Sequence, residues 1–222
     1  MNANNRLLFV LPLFALVGCQ QFERGGTMVN NFYDNLTGKT PLKAVAKMED
    51  VYFADERRVG INTLSNKPFG RQPPYTTRYG QIVQTDKDYT VRVAGIRALN
   101  RSRDDSAKPI FIKSLDDENP LVRTEAAKAL VNLPDESAVP KLIKLLGNQE
   151  EDRDARIAAA RAMRNFKRLD VARALVANLT GRDFGVAWES RRSLEAITGN
   201  TTLAYDETQW LQFLTGPEKP FG

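Results

Sequence analysis

Between Asp88 and Met163 the apolar and small positions of the chain recur at helical spacing three times over. Val91, Gly95, Ala98 and Leu99 fall at i, i+4, i+7 and i+8, a single stripe on one helix face. Val122, Ala126, Ala129 and Leu130 repeat the stripe, and Ala155, Ala159, Ala162 and Met163 repeat it again. Each copy opens on a helix-capping residue (Asp88, Asn119, Asp152) and carries an arginine four residues later (Arg92, Arg123, Arg156). The arginines lie 31 and then 33 residues apart. Self-similarity at this period is the mark of stacked helical repeats. Weaker copies extend the frame: Asp183, Ala187, Ser190, Ser193 and Leu194 downstream, with Ala in the arginine slot, and Arg57, Gly60, Thr63 and Leu64 upstream. Degenerate ends suit an array, because a terminal repeat has a neighbour on one side only.

Each striped helix needs a partner, and the segments between the copies supply bulk. Ile110, Phe111 and Leu115, then Leu142, Ile143, Leu145 and Leu146, then Leu175, Val176 and Leu179 have the size the small stripes lack. The pattern predicts five helix pairs: 42–50 with 55–66, 78–85 with 89–101, 107–115 with 120–132, 138–146 with 153–166, and 170–179 with 186–197. Asp88, Asn119, Asp152 and Asp183 are expected to cap the second helices with their side chains, and Pro120 suits a first helical position. Pro134, Gly147, Gly181 and Gly199 mark helix ends. Three prolines and a glycine in Lys67–Thr77 predict an extended, non-helical loop inserted between units one and two. After Gly199 the period stops, and Trp210, Leu211, Phe213 and Leu214 predict one further helix that caps the last exposed core face. The expected fold is an all-α, right-handed α-solenoid of about five helix pairs with a C-terminal capping helix.

Composition narrows the chemistry. The chain has 42% apolar and 27% charged residues, as a folded domain does, and a mild formal charge of +5 with acids and bases interspersed. It has no His, and its one Cys is Cys19. These counts exclude a His/Cys metal site, a Ser-His-Asp triad, a Cys-His dyad and a disulfide framework. Carboxylate-only chemistry stays open in principle, and the expectation is of no metal, cofactor or catalytic residue.

The phrase Asp/Asn-x-x-Val-Arg-x-x-Ala-x-x-Ala-Leu resembles the second helix of HEAT repeats, in particular the short bacterial kind found in phycobilisome-lyase-type proteins. The resemblance covers Asp88–Met163 well and Leu42–Ile197 loosely. It implies a ladder of capping acid and arginine along adjacent repeats, carried here by Asp88 with Arg92, Asn119 with Arg123 and Asp152 with Arg156; Asn119 departs from the family's acid, and Ala187 breaks the ladder in unit five. It also implies that the second helices line the concave face, which makes Arg97, Arg101, Arg161, Arg164 and Arg192 the candidates for contacting an acidic protein partner.

At the N-terminus, Arg6 precedes an apolar run from Leu7 to Val17, which has the length of a signal-peptide core and is short for a membrane span. Leu16-Val17-Gly18-Cys19 resembles the lipobox of bacterial lipoproteins, in which the thiol of the Cys is lipidated and the signal is cleaved before it. The resemblance implies a signal peptide over 1–18; the polar composition after Cys19 suggests a tether over 19–41, and the repeat pattern gives the array over 42–200 with its 67–77 insertion and a capping helix and tail over 201–222. Several acyl chains on Cys19 would hold the protein at a bacterial cell membrane or outer membrane, with the repeats in the periplasm or outside the cell. Gln20, where an enteric inner-membrane lipoprotein has Asp, favours the outer membrane by that analogy. The expected function is a non-enzymatic, membrane-tethered protein–protein interaction scaffold. The alternative from the same resemblance is a lyase-type enzyme or enzyme accessory protein, against which the missing nucleophile and base argue. The mild charge and the export signal argue against a nucleic-acid partner.

Overall fold

In the computed structural model, residues 42–217, 220 and 221 are described. The expected signal peptide, Cys19 and the expected tether lie outside the described residues. Eleven α-helices among those residues pack as an α-solenoid of five pairs and a final helix. The pairs are α1 (Leu42–Met48) with α2 (Ala54–Ser65), α3 (Tyr75–Thr85) with α4 (Tyr89–Ser102), and α5 (Lys108–Ser114) with α6 (Pro120–Asn132). They continue as α7 (Val139–Gly147) with α8 (Arg153–Met163), and α9 (Leu169–Val176) with α10 (Phe184–Thr198); α11 is Glu207–Thr215.

The small-residue stripes do what their size allows. All twelve positions of the three stripes are buried, most of them completely. Through them the second helices α2, α4, α6, α8 and α10 pack directly on one another in a continuous row. Gly95 illustrates the closeness: a Cβ there would lie 2.6 Å from Val83 Cγ2 on α3, inside any real contact distance. Ser193 occupies the slot held by Ala98, Ala129 and Ala162, and its buried hydroxyl donates to Ala160 O at 2.7 Å. The first helices touch more sparsely, and long charged side chains span their gaps. Arg78 on α3 holds Glu49 beyond α1, and Lys141 on α7 reaches back to Asp116 and to Ile112 O. Phe111, Leu142, Leu146 and Leu175 fill the space between the two rows.

Two local expectations are corrected, and one feature is added. The 67–77 segment is not an extended loop: Pro68–Arg71 forms a 3-10 turn, and α3 already begins at Tyr75, directly after Pro74. Proline is excluded from helix interiors but not from their first positions, where its missing N–H has no partner to lose. Asp183 precedes α10 with extended backbone but makes no side-chain cap, because its carboxylate faces the guanidinium of Arg156. The helices α5 and α7 each start through a short 3-10 turn in a phrase of their own, Asp104-Asp105-Ser106-Ala107 and Asp135-Glu136-Ser137-Ala138. In both, the first Asp accepts the backbone N–H of the Ser, so the first helices carry a repeat signature as well as the second ones.

The last helix behaves as a cap. Trp210 and Leu214 are buried, and the Trp210 indole N–H donates to Ala204 O at 2.9 Å. The helix packs against α9, at the end of the first-helix row.

Candidate functional site

The repeat arginines form a ladder, but not with the expected partners. Arg92 does not pair with Asp88 in its own helix. Its Nε and one Nη donate to both carboxylate oxygens of Asp117, at 2.9 and 2.7 Å, in the turn of the next repeat. Its other Nη donates to Asp86 O and Lys87 O in the turn of its own repeat. Arg57 holds Asp86 and Asp50 O in the same manner. Arg123 reaches Glu151 with one Nη and Asp117 O and Glu118 O with the other, rather than Asn119. Arg156 donates to Leu146 O and Asn178 Oδ1 and lies 3.6 Å from Asp183, rather than pairing with Asp152.

The cap residues are occupied elsewhere, which is the physical reason. Asp88 accepts Thr90 N, Asn119 accepts Leu121 N, and Asp152 accepts Asp154 N and Ala155 N. The acid that meets each arginine also accepts the N–H of the residue that begins the cap: Asp86 from Asp88 N, Asp117 from Asn119 N and Glu151 from Asp152 N. Arg57, Arg92 and Arg123 therefore each tie two consecutive turns together, while Arg156 ties the end of α7 to Asn178 and Asp183 of the next repeat. Ala187 ends the series because α10 is the last second helix, and no further turn lies beyond it for an arginine to reach.

A solvated groove of about 510 Å³ lies between the first helices α3 and α5, and its lining includes Asp86, Asp117 and Glu118. Arg57 holds Asp86, and Arg92 meets both Asp117 and Glu118. Among the described residues, no cluster of three or more His, Cys, Asp or Glu is arranged to hold a metal ion.

A second row lies on the outer surface of the second helices. Arg97, Lys128, Arg161 and Arg192 each follow the ladder slot by five positions, so each repeat from two to five presents one cation there. Arg97 and Lys128 both donate to Glu125 at 3.0 and 2.9 Å, and both are about half exposed. Arg161 donates to Glu189 at 2.8 Å, and Arg164 joins it on the other oxygen of the same carboxylate. The Glu189 side chain is fully buried, so the acid lies beneath and the cations lie on top. Burial alone would push the Glu189 carboxyl up, but the Arg161 and Arg164 guanidiniums outweigh it and hold the group below its ordinary range. Glu125 is lowered in the same way by Arg97 and Lys128. Arg192 lies 4.8 Å from the ring centre of Trp188.

Of the five arginines expected on this surface, Arg97, Arg161 and Arg192 stand in the row, and Arg164 flanks it. Arg101 turns aside and donates to Ser65 Oγ at 3.0 Å. Lys128 was missed by a reading that looked for arginines; its place in the repeat frame was the signal that identifies it.

Two outcomes follow from this geometry. Arg92→Ala leaves Asp117 without its bidentate partner and two turn carbonyls without donors. A loss of about 3–5 kcal/mol is expected in urea unfolding, with only partial recovery in Arg92→Lys, whose ammonium cannot make the paired contact. For Glu189, a folded pKa below the unfolded one stabilises the protein above the unfolded pKa, and that contribution is lost as pH falls through the folded value. Glu189→Gln should therefore melt below wild type at pH 7, and the difference should shrink as pH falls below about 4, the ordinary range of Glu.

Comparison with known proteins agrees with this architecture. No curated protein matches the chain. Among solved structures, the crystal structure of an engineered protein aligns with a TM-score of 0.51 at 22% identity, covering 70% of this chain and 78% of that one. The structure of human deoxyhypusine hydroxylase in complex with glycerol aligns with a TM-score of 0.49 at 16% identity, covering 80% of this chain and 75% of that one. Residues 79–164, from within α3 to just past the end of α8, match the family described as HEAT repeats.

Proposed function

We propose that the chain is a non-enzymatic scaffold of the bacterial envelope, lipid-anchored through Cys19, that holds an acidic segment of a partner protein along its second-helix face. The observation that carries the reading is the row Arg97, Lys128, Arg161 and Arg192, with Arg164 beside it, standing over only two carboxylates, Glu125 and Glu189. The fully buried Glu189 and the partly buried Glu125 hold Arg97, Lys128, Arg161 and Arg164 in place, and Arg192 lies against Trp188. An arginine has five N–H donors, and Arg97 and Arg161 each spend one Nη on their glutamate, so donors remain for a second carboxylate. Regular spacing, one cation per repeat, suits an extended ligand that crosses the repeats. Charge on an exposed rim mainly sets encounter rate and choice of partner.

The anchor rests on Arg6, the apolar run Leu7–Val17 and the Gly18-Cys19 pair. Among the described residues no helix is long and apolar enough to cross a membrane. Acylation at Cys19 supplies attachment without one.

The surface is tested with a fluorescent Glu-rich peptide of about ten residues, titrated against the intact protein. Lys128→Gln/Arg192→Gln, which leaves the Arg161–Glu189 contact in place, should weaken binding about tenfold, the equivalent of 1.4 kcal/mol. Wild-type binding should fall steeply with salt. Equal binding of the Gln-rich analogue, or unchanged affinity in the double variant, overturns the acidic-partner reading. The anchor is tested separately by intact mass and membrane fractionation. Wild type should lose 1–18, gain lipid mass and pellet with membranes, while Cys19→Ser should do none of these.

A further inference from the structure

Half of the exposed large apolar side chains among the described residues belong to the first repeat: Leu42, Val51, Tyr52, Phe53 and Val59. The tip of the α1–α2 turn is the most exposed part, with Val51 at 78%, Tyr52 at 83% and Phe53 at 65%. This turn is not slack. The Asp50 carboxylate accepts Tyr52 N at 2.8 Å and Phe53 N at 2.7 Å, and Arg57 grips Asp50 O at 3.1 Å. The two backbone N–H groups hold the Asp50 carboxyl below its usual range, so the brace stays ionised at neutral pH. The aromatic rings are thus presented to solvent on a rigid support.

The equivalent turns of the array are built differently. Asp88, Asn119, Asp152 and Asp183 stand at the N-cap of the other second helices, whereas Phe53 stands at the N-cap of α2 and makes no side-chain cap. A terminal repeat ordinarily turns a polar face outward. Here a polar capping residue has been given up for an aromatic one, and a water-exposed Phe gains nothing in return. Charge also distinguishes this turn from those of repeats three and four. Around it Lys43, Lys47, Arg57 and Arg58 balance Glu49, Asp50, Asp55 and Glu56, while the turns of repeats three and four carry the acidic runs Asp116-Asp117-Glu118 and Glu150-Glu151-Asp152.

We infer that the Val51–Phe53 tip is a membrane-contacting element that seats the first repeat in the headgroup layer of the bilayer to which Cys19 is anchored. Tyr and Phe with an adjoining aliphatic residue are the composition that partitions into the membrane–water interface. The balanced local charge gives no repulsion from anionic lipid, which the acidic turns of the later repeats would meet. The first repeat is also the one that follows Cys19 in the chain. The inference rests on the anchored-scaffold reading, and it adds an orientation: with repeat one at the lipid, the later repeats and their cation row are held away from it.

The test uses the single cysteine. In the full chain purified from bacterial membranes, a lipidated Cys19 is blocked, so Val51→Cys and the control Lys128→Cys should each take up one thiol-reactive environment-sensitive dye. In vesicles of phosphatidylethanolamine and phosphatidylglycerol carrying nitroxide lipid, the Val51→Cys dye should be blue-shifted and quenched about twofold or more beyond the Lys128→Cys dye. Adding Tyr52→Ser/Phe53→Ser to Val51→Cys should remove that excess. Equal quenching at the two positions with one dye per chain overturns the tip and leaves the anchor standing. A blue shift without quenching by nitroxide lipid, accompanied by cross-links to a second copy or another protein, overturns it in favour of a protein interface. Two dyes per chain report a free Cys19 and overturn the anchor; the Cys19 dye is then common to both variants, and the tip stands or falls on the same difference in quenching.

Discussion

Helices of two to four turns cannot hold their apolar faces out of water alone, so each pair in this protein depends on the next pair being set against it in register. Apolar contact is non-directional and would tolerate a slip of one pair along another. The guanidinium of the ladder does not tolerate it. Arg92 has its own turn on one side, through Asp86 O and Lys87 O, and the next turn on the other, through both oxygens of Asp117. A planar fork with fixed donor directions accepts one relative placement of two turns. Asp117 in turn accepts the N–H of Asn119, which is the cap of α6, so the ladder also sets where the following helix begins. Register between repeats and the start of each second helix are thereby one constraint.

The two rows of helices answer this constraint with different chemistry. Ala and Gly in the second helices let backbones approach, and the outer surface of the resulting row carries a long cationic side chain in each repeat from two to five at the slot five beyond the ladder, beside exposed apolar side chains such as Leu121 and Trp188. The regular cation row is therefore a by-product of the same periodicity that builds the core. The first helices use Phe, Leu and Ile inward and bridge outward with Arg78 and Lys141, so their surface is divided by ion pairs and offers no comparable row.

Much of this was legible in the sequence because helical spacing is rigid. Val122, Ala126, Ala129 and Leu130 can share a face in one way only, and the structure buries all four. The ladder partners were not legible in that way. They lie in turns, and turn lengths vary: Arg57 reaches Asp86, Arg92 reaches Asp117 and Arg123 reaches Glu151 across sequence separations of 29, 25 and 28 residues. No fixed period contains those pairs, whereas the four-residue spacing of Asp88 and Arg92 does, and so drew attention to the wrong acid. The buried Glu189 was hidden for a related reason. Its slot holds Ala94 and Ala158 in repeats two and four but Glu125 in repeat three, so an acid recurs there only in alternate repeats, and only the meeting of α8 and α10 brings Arg161 and Arg164 over Glu189.

The ends of the array are where the repeat rule must be broken, and the two ends break it in opposite ways. At the C-terminal end the ladder residue becomes Ala187, and α11 closes the first-helix row with Trp210 buried. That end is finished by the chain itself. At the N-terminal end Arg57 still binds forward to Asp86, so the ladder is intact, but the capping slot holds Phe53 and the turn exposes three large apolar side chains in succession. Stability of the array gives no reason for this, because a Ser, Asp or Asn in that slot would cap α2 and contribute about 1 kcal/mol. The aromatic residue in the capping slot is local to the repeat that follows the N-terminal segment, and its turn is braced by Asp50. A surface that sacrifices a helix cap to display aromatic rings is better explained by what it touches than by what it supports.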